Sequence, residues 1–234
     1  MARLLVRVEG ETEEAFVNEV LNAHLLGCGY ERVSACLVGN TRLRDRRGGI
    51  RGWSAVRKDI IRHLKEDRGC IATTMVDYFG LPLVGDKAWP GRAQAATLPI
   101  ADKAPHVEEA LLNDVVEEMG GKFDRRRFVP FVVMHEFEGL LFSDCEAFAH
   151  GVGRATLATS LQAIRDQFDT PEEINDSPVS APSKRVEALI PGYVKPLFGN
   201  LAALEVGLDR IRAACPHFRG WLSRVAALGH LALA

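Results

Sequence analysis

The sequence predicts an α/β fold with a mostly parallel, four-stranded sheet flanked by helices, followed by a helical C-terminal extension. Short apolar runs rich in β-branched residues alternate with segments whose apolar residues recur at helical spacing. This alternation is typical of βα units around a buried parallel sheet, because such strands are apolar on both faces. After about residue 140 the strand-like runs cease. We therefore predict an α/β domain over residues 1–145 and a helical extension packed on it over residues 146–234.

The N-terminal half contains all of the predicted strands. Apolar runs bounded by turn residues predict strands at about 4–8, 33–38, 70–76 and 128–134. Helical periodicity between them predicts helices over about 12–25, 53–66 and 107–119. Residues 78–105 combine prolines and glycines with weak periodicity. They predict a long surface excursion with at most one short helix inside it.

The C-terminal region shows helical periodicity interrupted by prolines. Its helical segments are predicted at about 154–167, 184–190, 201–214 and 221–228. Proline pairs separate these segments, since proline seldom continues a helix. We find no internal repeat and no low-complexity tract, so the region is predicted to pack on the sheet as ordinary helices.

Composition and charge narrow the class of protein. The 234 residues are 47% hydrophobic and 26% charged, with a formal net charge of −2, so bulk positive charge does not recruit nucleic acid. The N-terminus lacks the order of a secretory signal, and no apolar run is long enough to span a bilayer. The five cysteines are scattered, which fits a reducing compartment. We expect a soluble cytoplasmic protein without a membrane partner.

Several cofactor classes lack their sequence signals. The chain contains neither a Walker phosphate loop nor a dinucleotide glycine fingerprint. His135 has no second histidine at ligand spacing, so a zinc site is not predicted. We therefore expect no ATP hydrolysis and no nicotinamide chemistry by this chain alone.

Acidic residues follow three of the predicted strands. Val8 leads to Glu9, Val76 leads to Asp77, and Met134 leads through His135 to Glu136 and Glu138. Ligands of open parallel sheets bind beyond the carboxyl ends of the strands, so we expect these acids to converge there. A cluster of carboxylates repels itself unless a cation neutralises it, and oxygen ligands suit Mg²⁺ or Mn²⁺. The pattern predicts metal-assisted phosphoryl transfer or hydrolysis.

A purely structural interpretation of the same acids stays open. Acids commonly occupy the first turn of a helix, where they complement its dipole, and Glu13 is placed in this way. Glu136 and Glu138 are two residues apart, so they would face opposite sides of a continuing strand. A turn that begins at Glu136 would bring both to the same side.

These residues resemble the Toprim superfamily. The run Glu9-Gly10-Glu11-Thr12-Glu13 after a first strand is similar to the signature glutamate motif of Toprim domains, in particular those of the overcoming-lysogenization-defect type nucleases. The run from Val76 to Pro82 and the run from His135 to Asp144 resemble further marks of a Toprim-like bacterial family of unknown function, and the resemblance spans nearly the whole chain. It implies a Toprim-like, Rossmann-like sheet.

The resemblance also implies roles for individual residues. Glu9 corresponds to the glutamate proposed as general acid or base. Asp77 and the pair Glu136 and Glu138 correspond to Mg²⁺ or Mn²⁺ ligands, and we add Glu13 to this metal set. Toprim domains usually carry Asp-x-Asp, whereas this chain has Asp77-Tyr78-Phe79. The second aspartate is therefore missing, and Glu138 or Asp144 would have to substitute for it.

Cationic residues are candidates for contacts with a nucleic-acid phosphate backbone. The segments around Lys184-Arg185 and Lys195 resemble the C-terminal pattern of that family, and Lys195 is the candidate that neutralises a scissile phosphate. A glycine-containing loop carries the other candidates, which are Arg42, Arg44, Arg46, Arg47 and Arg51. Trp53 is expected to stack on a base. The alternative is a solvated loop whose charges maintain solubility.

Together these features predict a Mg²⁺- or Mn²⁺-dependent Toprim-like nuclease that acts on DNA or RNA. By the same resemblance, an ATPase is an expected partner, and defence against phage is an expected role. Two alternatives stay open, namely a non-catalytic interaction or sensor subunit, which the missing aspartate favours, and a metal-dependent phosphoesterase that acts on a small molecule.

Overall fold

The computed structural model describes residues 2–38, 50–174 and 181–231. Its centre is a parallel sheet with the strand order β2-β1-β3-β4, in which β5 also pairs with β3. The strands are β1 (Ala2–Val8), β2 (Tyr30–Leu37), β3 (Cys70–Asp77), β4 (Phe128–Val129) and β5 (Val132–Val133). The pairings between these strands are parallel. The predicted α/β class is thus confirmed.

The predicted fourth strand is divided into β4 and β5 by Pro130. Proline has no N–H to donate to a sheet ladder, so the pairing with β3 is interrupted there. Thr74 bridges the interruption, since its hydroxyl donates to the Phe131 carbonyl at 2.8 Å and accepts from the Phe131 N–H at 2.9 Å. Within the described residues, the sheet therefore has five strands in four strand positions.

Helices connect the strands in the N-terminal half. Between β1 and β2 lie α1 (Glu11–Phe16), a π-helical turn (Val17–Leu21) and α2 (Asn22–Gly27). The connection to β3 contains α3 (Trp53–Glu66), whose apolar face is buried. After β3 come 3₁₀ turns at Tyr78–Gly80 and Gly85–Lys87, then α4 (Arg92–Ala95) and α5 (Ile100–Met119), and a 3₁₀ turn at Arg125–Arg127 precedes β4.

The prediction of a surface excursion over residues 78–105 is wrong in two respects. Helix α5 begins at Ile100 and continues through Pro105, whereas the sequence predicts this helix only from about residue 107. Proline removes a single hydrogen bond, and the buried face of a 20-residue helix compensates for that loss. The segment is also not confined to the surface, because Leu81, Trp89 and Ala95 are buried.

The C-terminal region is helical, as predicted. Its helices are α6 (Glu138–Leu141), α7 (Cys145–Gly151), α8 (Ala158–Arg165), α9 (Pro182–Leu189), α10 (Asn200–Val206), α11 (Leu208–Ala214) and α12 (Pro216–Leu231). Short turns lie at Ala155–Leu157 and Pro171–Glu173 (3₁₀) and at Lys195–Gly199 (π). Gly207, with φ +76°, separates α10 from α11, where one helical segment was expected.

Helix α12 packs directly on the sheet. The Trp221 ring stacks on Phe131 with a centroid distance of 4.5 Å, and its indole N–H donates to the Thr73 hydroxyl at 2.9 Å. The Tyr30 hydroxyl donates to the Val225 carbonyl at 2.8 Å. One face of the sheet and the C-terminal helices thus share a hydrophobic core. The division at residue 145 stays a prediction.

A helix that crosses a bilayer must be long and apolar. Within the described ranges, none of them is both long and apolar enough to cross a membrane. The cytoplasmic location stays a prediction.

Candidate acidic site at the carboxyl edge of the sheet

The ends of β1 and β3 bring Glu9 and Asp77 together. These strands are neighbours in parallel register, with Val8 opposite Met75. The Glu9 Oε2 atom accepts a hydrogen bond from the backbone N–H of Asp77 at 3.0 Å. The acids that follow the predicted strands were expected to converge at the carboxyl edge of the sheet, and Glu9 and Asp77 do so.

Glu13 reaches the same region from the first turn of α1. Its Oε2 atom accepts from the Gly10 N–H at 2.9 Å, and its side chain is buried. Burial raises the pKa of the Glu13 carboxyl, and the neighbouring Glu9 carboxylate raises it further, whereas local backbone N–H groups oppose this rise. Glu13 thus has the structural role of satisfying a helix N-terminus and also adds a carboxylate beside Glu9.

The chain turns sharply after β5, at His135. This residue has a left-handed backbone with φ +65°, which is uncommon for a residue other than glycine. Beyond the turn, Glu138 opens α6 and its side chain is fully buried. Glu136 is half-buried, and its Oε2 atom accepts from the Ser183 N–H at 3.0 Å. The turn begins one residue earlier than the sequence suggested, and it places the two glutamates in different surroundings.

Lys195 carries the positive charge that faces these acidic side chains, which together form the acidic cluster. Its Nζ atom lies 2.9 Å from Glu138 Oε2, and 39% of its side chain is exposed. Burial alone would lower the pKa of Lys195, but the carboxylates of Glu138, Asp77 and Glu136 together raise it. The ammonium therefore stays charged across the physiological range.

Asp77 is an acid whose surroundings raise its pKa. Burial raises its pKa well above the ordinary value, and the negative charges of Glu9, Glu13 and Glu138 add to this rise, whereas Lys195 opposes it. Burial likewise raises the pKa of Glu9 and that of Glu138. The Asp77 Oδ1 atom is buried and has no hydrogen-bond partner among the described residues. Such an orphan oxygen in a crowded acidic pocket indicates a site for a cation or a proton donor.

The donor set fits a hard divalent cation. It consists of carboxylate oxygens from Asp77 and Glu138, with Glu9 and Glu136 beside them. In the part of the chain that the structure describes, no three acidic, histidine or cysteine side chains already stand in an arrangement that could hold a metal ion. Mg²⁺ is usually held by one or two carboxylates, with water and substrate phosphate as its other ligands. The chemistry of the donors thus fits Mg²⁺ or Mn²⁺ without a complete protein cage.

Asp144 is not part of the cluster. Its Oδ1 atom accepts from the Ala147 N–H at 2.8 Å at the start of α7, and its Oδ2 atom pairs with Arg210 at 2.8 Å. Both oxygens therefore have structural partners. Of the two acids considered as substitutes for the missing aspartate, Glu138 is the one whose charge raises the pKa of Asp77.

Two residues that sequence analysis gave no role hold the site in place. Gly80 leaves room for Glu9, because a Cβ atom there would lie 2.7 Å from both carboxylate oxygens of Glu9. Arg92 is buried, lies 3.8 Å from the Tyr78 ring centre and donates to the Tyr78 carbonyl at 2.9 Å. Gly80 lies within a motif noted above, but no sequence signal marked Arg92.

Replacement of Gly80 with alanine is expected to destabilise the fold by about 1–3 kcal/mol. The added methyl group would displace the Glu9 carboxylate and leave the buried Asp77 N–H without its acceptor, and a buried unsatisfied donor costs that much. Urea denaturation of both proteins measures the difference. The matched control is Gly121→Ala, which has open space around its Cβ position and is expected to change stability by less than about 1 kcal/mol. Equal effects of the two changes would contradict the close contact at Gly80.

The cationic candidates have different positions. Arg42, Arg44, Arg46 and Arg47 lie outside the described residues. Arg51 is exposed, and its backbone carbonyl accepts from the Trp89 indole at 3.0 Å.

The C-terminal cationic candidates are engaged within their own region. Lys184 is exposed and pairs with Glu187 at 2.7 Å. The Arg185 guanidinium lies 5.3 Å from the Phe168 ring centre. The roles of these residues in nucleic-acid binding stay predictions.

The expectation that Trp53 stacks on a base is wrong. Its side chain is buried, its ring packs against Trp89 at a centroid distance of 5.0 Å, and its indole donates to Asp114 at 2.6 Å. The first turn of the amphipathic helix α3 places this ring in the core. A tryptophan beside arginines therefore belongs here to the hydrophobic core.

The fold and the site define a class of protein, namely a parallel α/β protein with an acidic cluster at the carboxyl edge of its sheet. The chain belongs to the family described as Domain of unknown function (DUF4276), whose sequence model matches residues 8–226. No curated protein matches the chain.

Solved structures with an overall likeness come from the C-terminal region of the OLD protein of Xanthomonas campestris pv. campestris. The structure phased with platinum is 18% identical, with a TM-score of 0.48, over 99% of this chain and 96% of that chain. The structure phased with mercury is 18% identical, with a TM-score of 0.49, over 100% and 99%. The fold assignment above rests on the sheet topology of this chain.

Proposed function

We propose that this chain is a Toprim-like nuclease that cleaves nucleic-acid phosphodiester bonds with Mg²⁺ or Mn²⁺. The observation that carries the proposal is the contact between Glu9 and Asp77, beside a buried Asp77 oxygen that has no hydrogen-bond partner among the described residues. The resemblance of the motifs at Glu9, Asp77 and Glu136 to Toprim domains supports the same chemistry. Perturbed acids that gather at the carboxyl edge of a parallel sheet are typical of functional sites.

The residues have distinct proposed roles. Asp77 and Glu138 are the metal ligands, with Glu136 and Glu13 contributing to the negative field that attracts the cation. When bound, the cation supplies charge neutralisation at the scissile phosphate and a more acidic water molecule. Glu138 is proposed to substitute for the second aspartate of Toprim domains, whose place in the sequence is taken by Phe79.

Glu9 is the proposed general acid or base. Burial raises its pKa, so a proton is held more readily than on an ordinary glutamate, and the Asp77 N–H fixes the orientation of its carboxylate. An acid whose pKa is shifted toward the working pH transfers protons efficiently. Lys195 is proposed to stabilise charge on the scissile phosphate, because its ammonium stays protonated beside three carboxylates.

A second candidate is a non-catalytic interaction or sensor subunit. The ion pair between Lys195 and Glu138 favours it, since this pair already neutralises one of the candidate ligands. The position of the second Toprim aspartate is moreover occupied by Phe79.

A phosphoesterase acting on a small molecule uses the same residues and differs only in its substrate. By the resemblance, we also propose an ATPase partner and a role in phage defence for the nuclease.

Glu9→Gln is expected to lower the rate of cleavage by about 10²–10⁴-fold, the usual contribution of a general acid or base. The wild-type chain is incubated with labelled DNA and RNA, with Mg²⁺, with Mn²⁺ and with a chelator, and the products are separated on a denaturing gel. Cleavage is expected only with metal. The matched control is Glu11→Gln, an exposed glutamate in the same turn, which is expected to keep full activity.

The outcomes separate the candidates. Metal-dependent cleavage that survives Glu9→Gln unchanged removes the proposed role of Glu9. The absence of cleavage on every substrate, including small phosphodiesters, favours the non-catalytic candidate. Cleavage of small phosphodiesters alone favours the phosphoesterase.

A further inference from the structure

A group of apolar side chains in the segment that follows Asp77 is exposed. Phe79 is 38% exposed, Leu83 is 42% exposed and Val84 is 79% exposed. They lie two to seven residues after Asp77, on the segment that leads away from the end of β3. Large apolar side chains grouped on a surface commonly mark a binding site. The position of this group beside the acids suggests a ligand that also reaches them.

Phe79 is the aromatic member of this group, and it lies closest to the acids along the chain. It stands between Asp77, whose N–H contacts the Glu9 carboxylate, and Gly80, against which that carboxylate packs. A ligand on the Phe79 ring would therefore lie near the residues of the acidic cluster.

The Phe79 ring is held in one orientation. It stacks on the His135 ring with a centroid distance of 5.1 Å and an interplanar angle of 22°. Tyr78 contacts it edge-on at 5.6 Å, and Arg92 in turn fixes Tyr78. A ring that is already ordered loses little conformational entropy when a ligand stacks on it.

We infer that the exposed side of the Phe79 ring is a stacking platform for an unpaired nucleobase. Bases stack on aromatic side chains in proteins that bind single strands, and this contact tolerates any sequence because each base has a π-face. Bases inside a duplex are already stacked on their neighbours and are not available. The inference rests on the proposed function and narrows its substrate to single-stranded or frayed nucleic acid.

A purely structural role for Phe79 is the competing interpretation. In that role the ring only covers His135, which is buried beneath it. Two substitutions separate the roles. Phe79→Leu keeps an apolar cover and removes the π-face, whereas Phe79→Trp keeps a π-face.

The test measures binding without cleavage. Fluorescence anisotropy of labelled oligodeoxythymidylate, and of its duplex with oligodeoxyadenylate, is recorded for the whole chain in the presence of a chelator. Phe79→Leu is expected to weaken single-strand binding by about 5- to 150-fold, which corresponds to the loss of one stacked base. Phe79→Trp is expected to bind the single strand at least as well as the wild type. Duplex binding is expected to change little in either variant.

The matched control is Leu26→Ala. Leu26 is 43% exposed, and it precedes β2, at the opposite edge of the sheet from the acids. This change is expected to leave binding of both probes unaltered. Unfolding curves for each variant show that the loss of binding does not reflect loss of the fold.

The results distinguish failure of this inference from failure of the proposed function. If Phe79→Leu binds the single strand as tightly as the wild type, or if binding of strand and duplex falls equally, the platform is overturned. Single-strand binding that depends on Phe79, without any cleavage by the wild-type chain in the presence of metal, would overturn the proposed nuclease activity. The stacking platform would then still be supported. If the wild type binds neither probe, the platform is overturned, and the cleavage assay with metal decides the nuclease separately.

Discussion

Replacing Lys195 with methionine is expected to destabilise the fold by about 2–4 kcal/mol. The change leaves Glu138 as a carboxylate without its ion-pair partner, and the Glu138 side chain has no exposed surface. Removal of one partner of a buried ion pair typically costs about 3–5 kcal/mol, because the remaining charge has lost its hydration and gains nothing in return. The expected value is slightly lower because 39% of the Lys195 side chain is exposed. Urea denaturation at neutral pH measures it.

A double-mutant cycle isolates the pair. In the double variant Lys195→Met with Glu138→Gln, most of the lost stability is expected to return, since no unpaired charge stays buried. The control is Lys184→Met, whose lysine pairs with Glu187 at 2.7 Å while both side chains are exposed. Exposed pairs contribute about 0–1 kcal/mol. If Lys195→Met proved as mild as Lys184→Met, the burial of the Glu138 pair would be contradicted.

The sequence predicted the acidic edge because its cause is local. Strands β1 and β3 are apolar runs that end at Glu9 and Asp77, and parallel strands place their carboxyl ends on one edge. Neither inference needs knowledge of distant contacts. The α/β class followed from the alternation of short apolar runs with segments of helical periodicity.

The rest of the site depends on contacts between residues far apart in the chain. The pair formed by Lys195 and Glu138 joins positions 57 residues apart, and no local pattern reports which lysine will face which acid. The space beside Gly80 is visible only once the Glu9 side chain has been placed. Trp53 was misinterpreted because a flanking loop rich in arginine resembles a binding surface, whereas helical periodicity placed the ring in the core.

Two prolines have structural effects that differ from those predicted by the sequence. Pro105 lies inside α5, although the sequence predicts this helix only from about residue 107, because the buried face of α5 outweighs the one hydrogen bond that proline removes. Pro130 lies within an apolar run that was interpreted as one strand, although the same missing N–H divides that run into β4 and β5. The effect of a proline therefore depends on the packing around it, which sequence alone does not show.

Asp77→Asn is expected to stabilise the fold at neutral pH by about 0.5–2 kcal/mol, the usual range for a single stabilising substitution. Burial and the neighbouring charges of Glu9, Glu13 and Glu138 raise the pKa of Asp77. The folded state therefore favours the protonated form, and ionisation of Asp77 weakens folding. Asparagine has the same shape and carries no charge. Urea denaturation at a series of pH values measures the effect.

The sign of the pH dependence follows from the raised pKa. A carboxyl whose pKa is higher in the folded state binds more protons there than in the unfolded chain. Its stabilising contribution is complete below the ordinary carboxyl pKa and is lost as the pH rises through the folded-state pKa. The wild type is therefore expected to lose more stability than Asp77→Asn over that window. Asp144→Asn, whose carboxylate starts α7 and pairs with Arg210, is the control and is expected to leave this pH difference unchanged.

The same substitution is expected to abolish metal-dependent cleavage, with a loss of at least about 100-fold. Outer-shell partners of a metal typically contribute 10- to 100-fold, and a direct ligand contributes at least as much. Mn²⁺ is expected to raise the stability of the wild type, because it neutralises the crowded carboxylates, and to have little effect on Asp77→Asn. A variant that is more stable and inactive would show that this acid is retained for function at a cost to folding. A variant that is less stable and still responds to Mn²⁺ would remove Asp77 from the site.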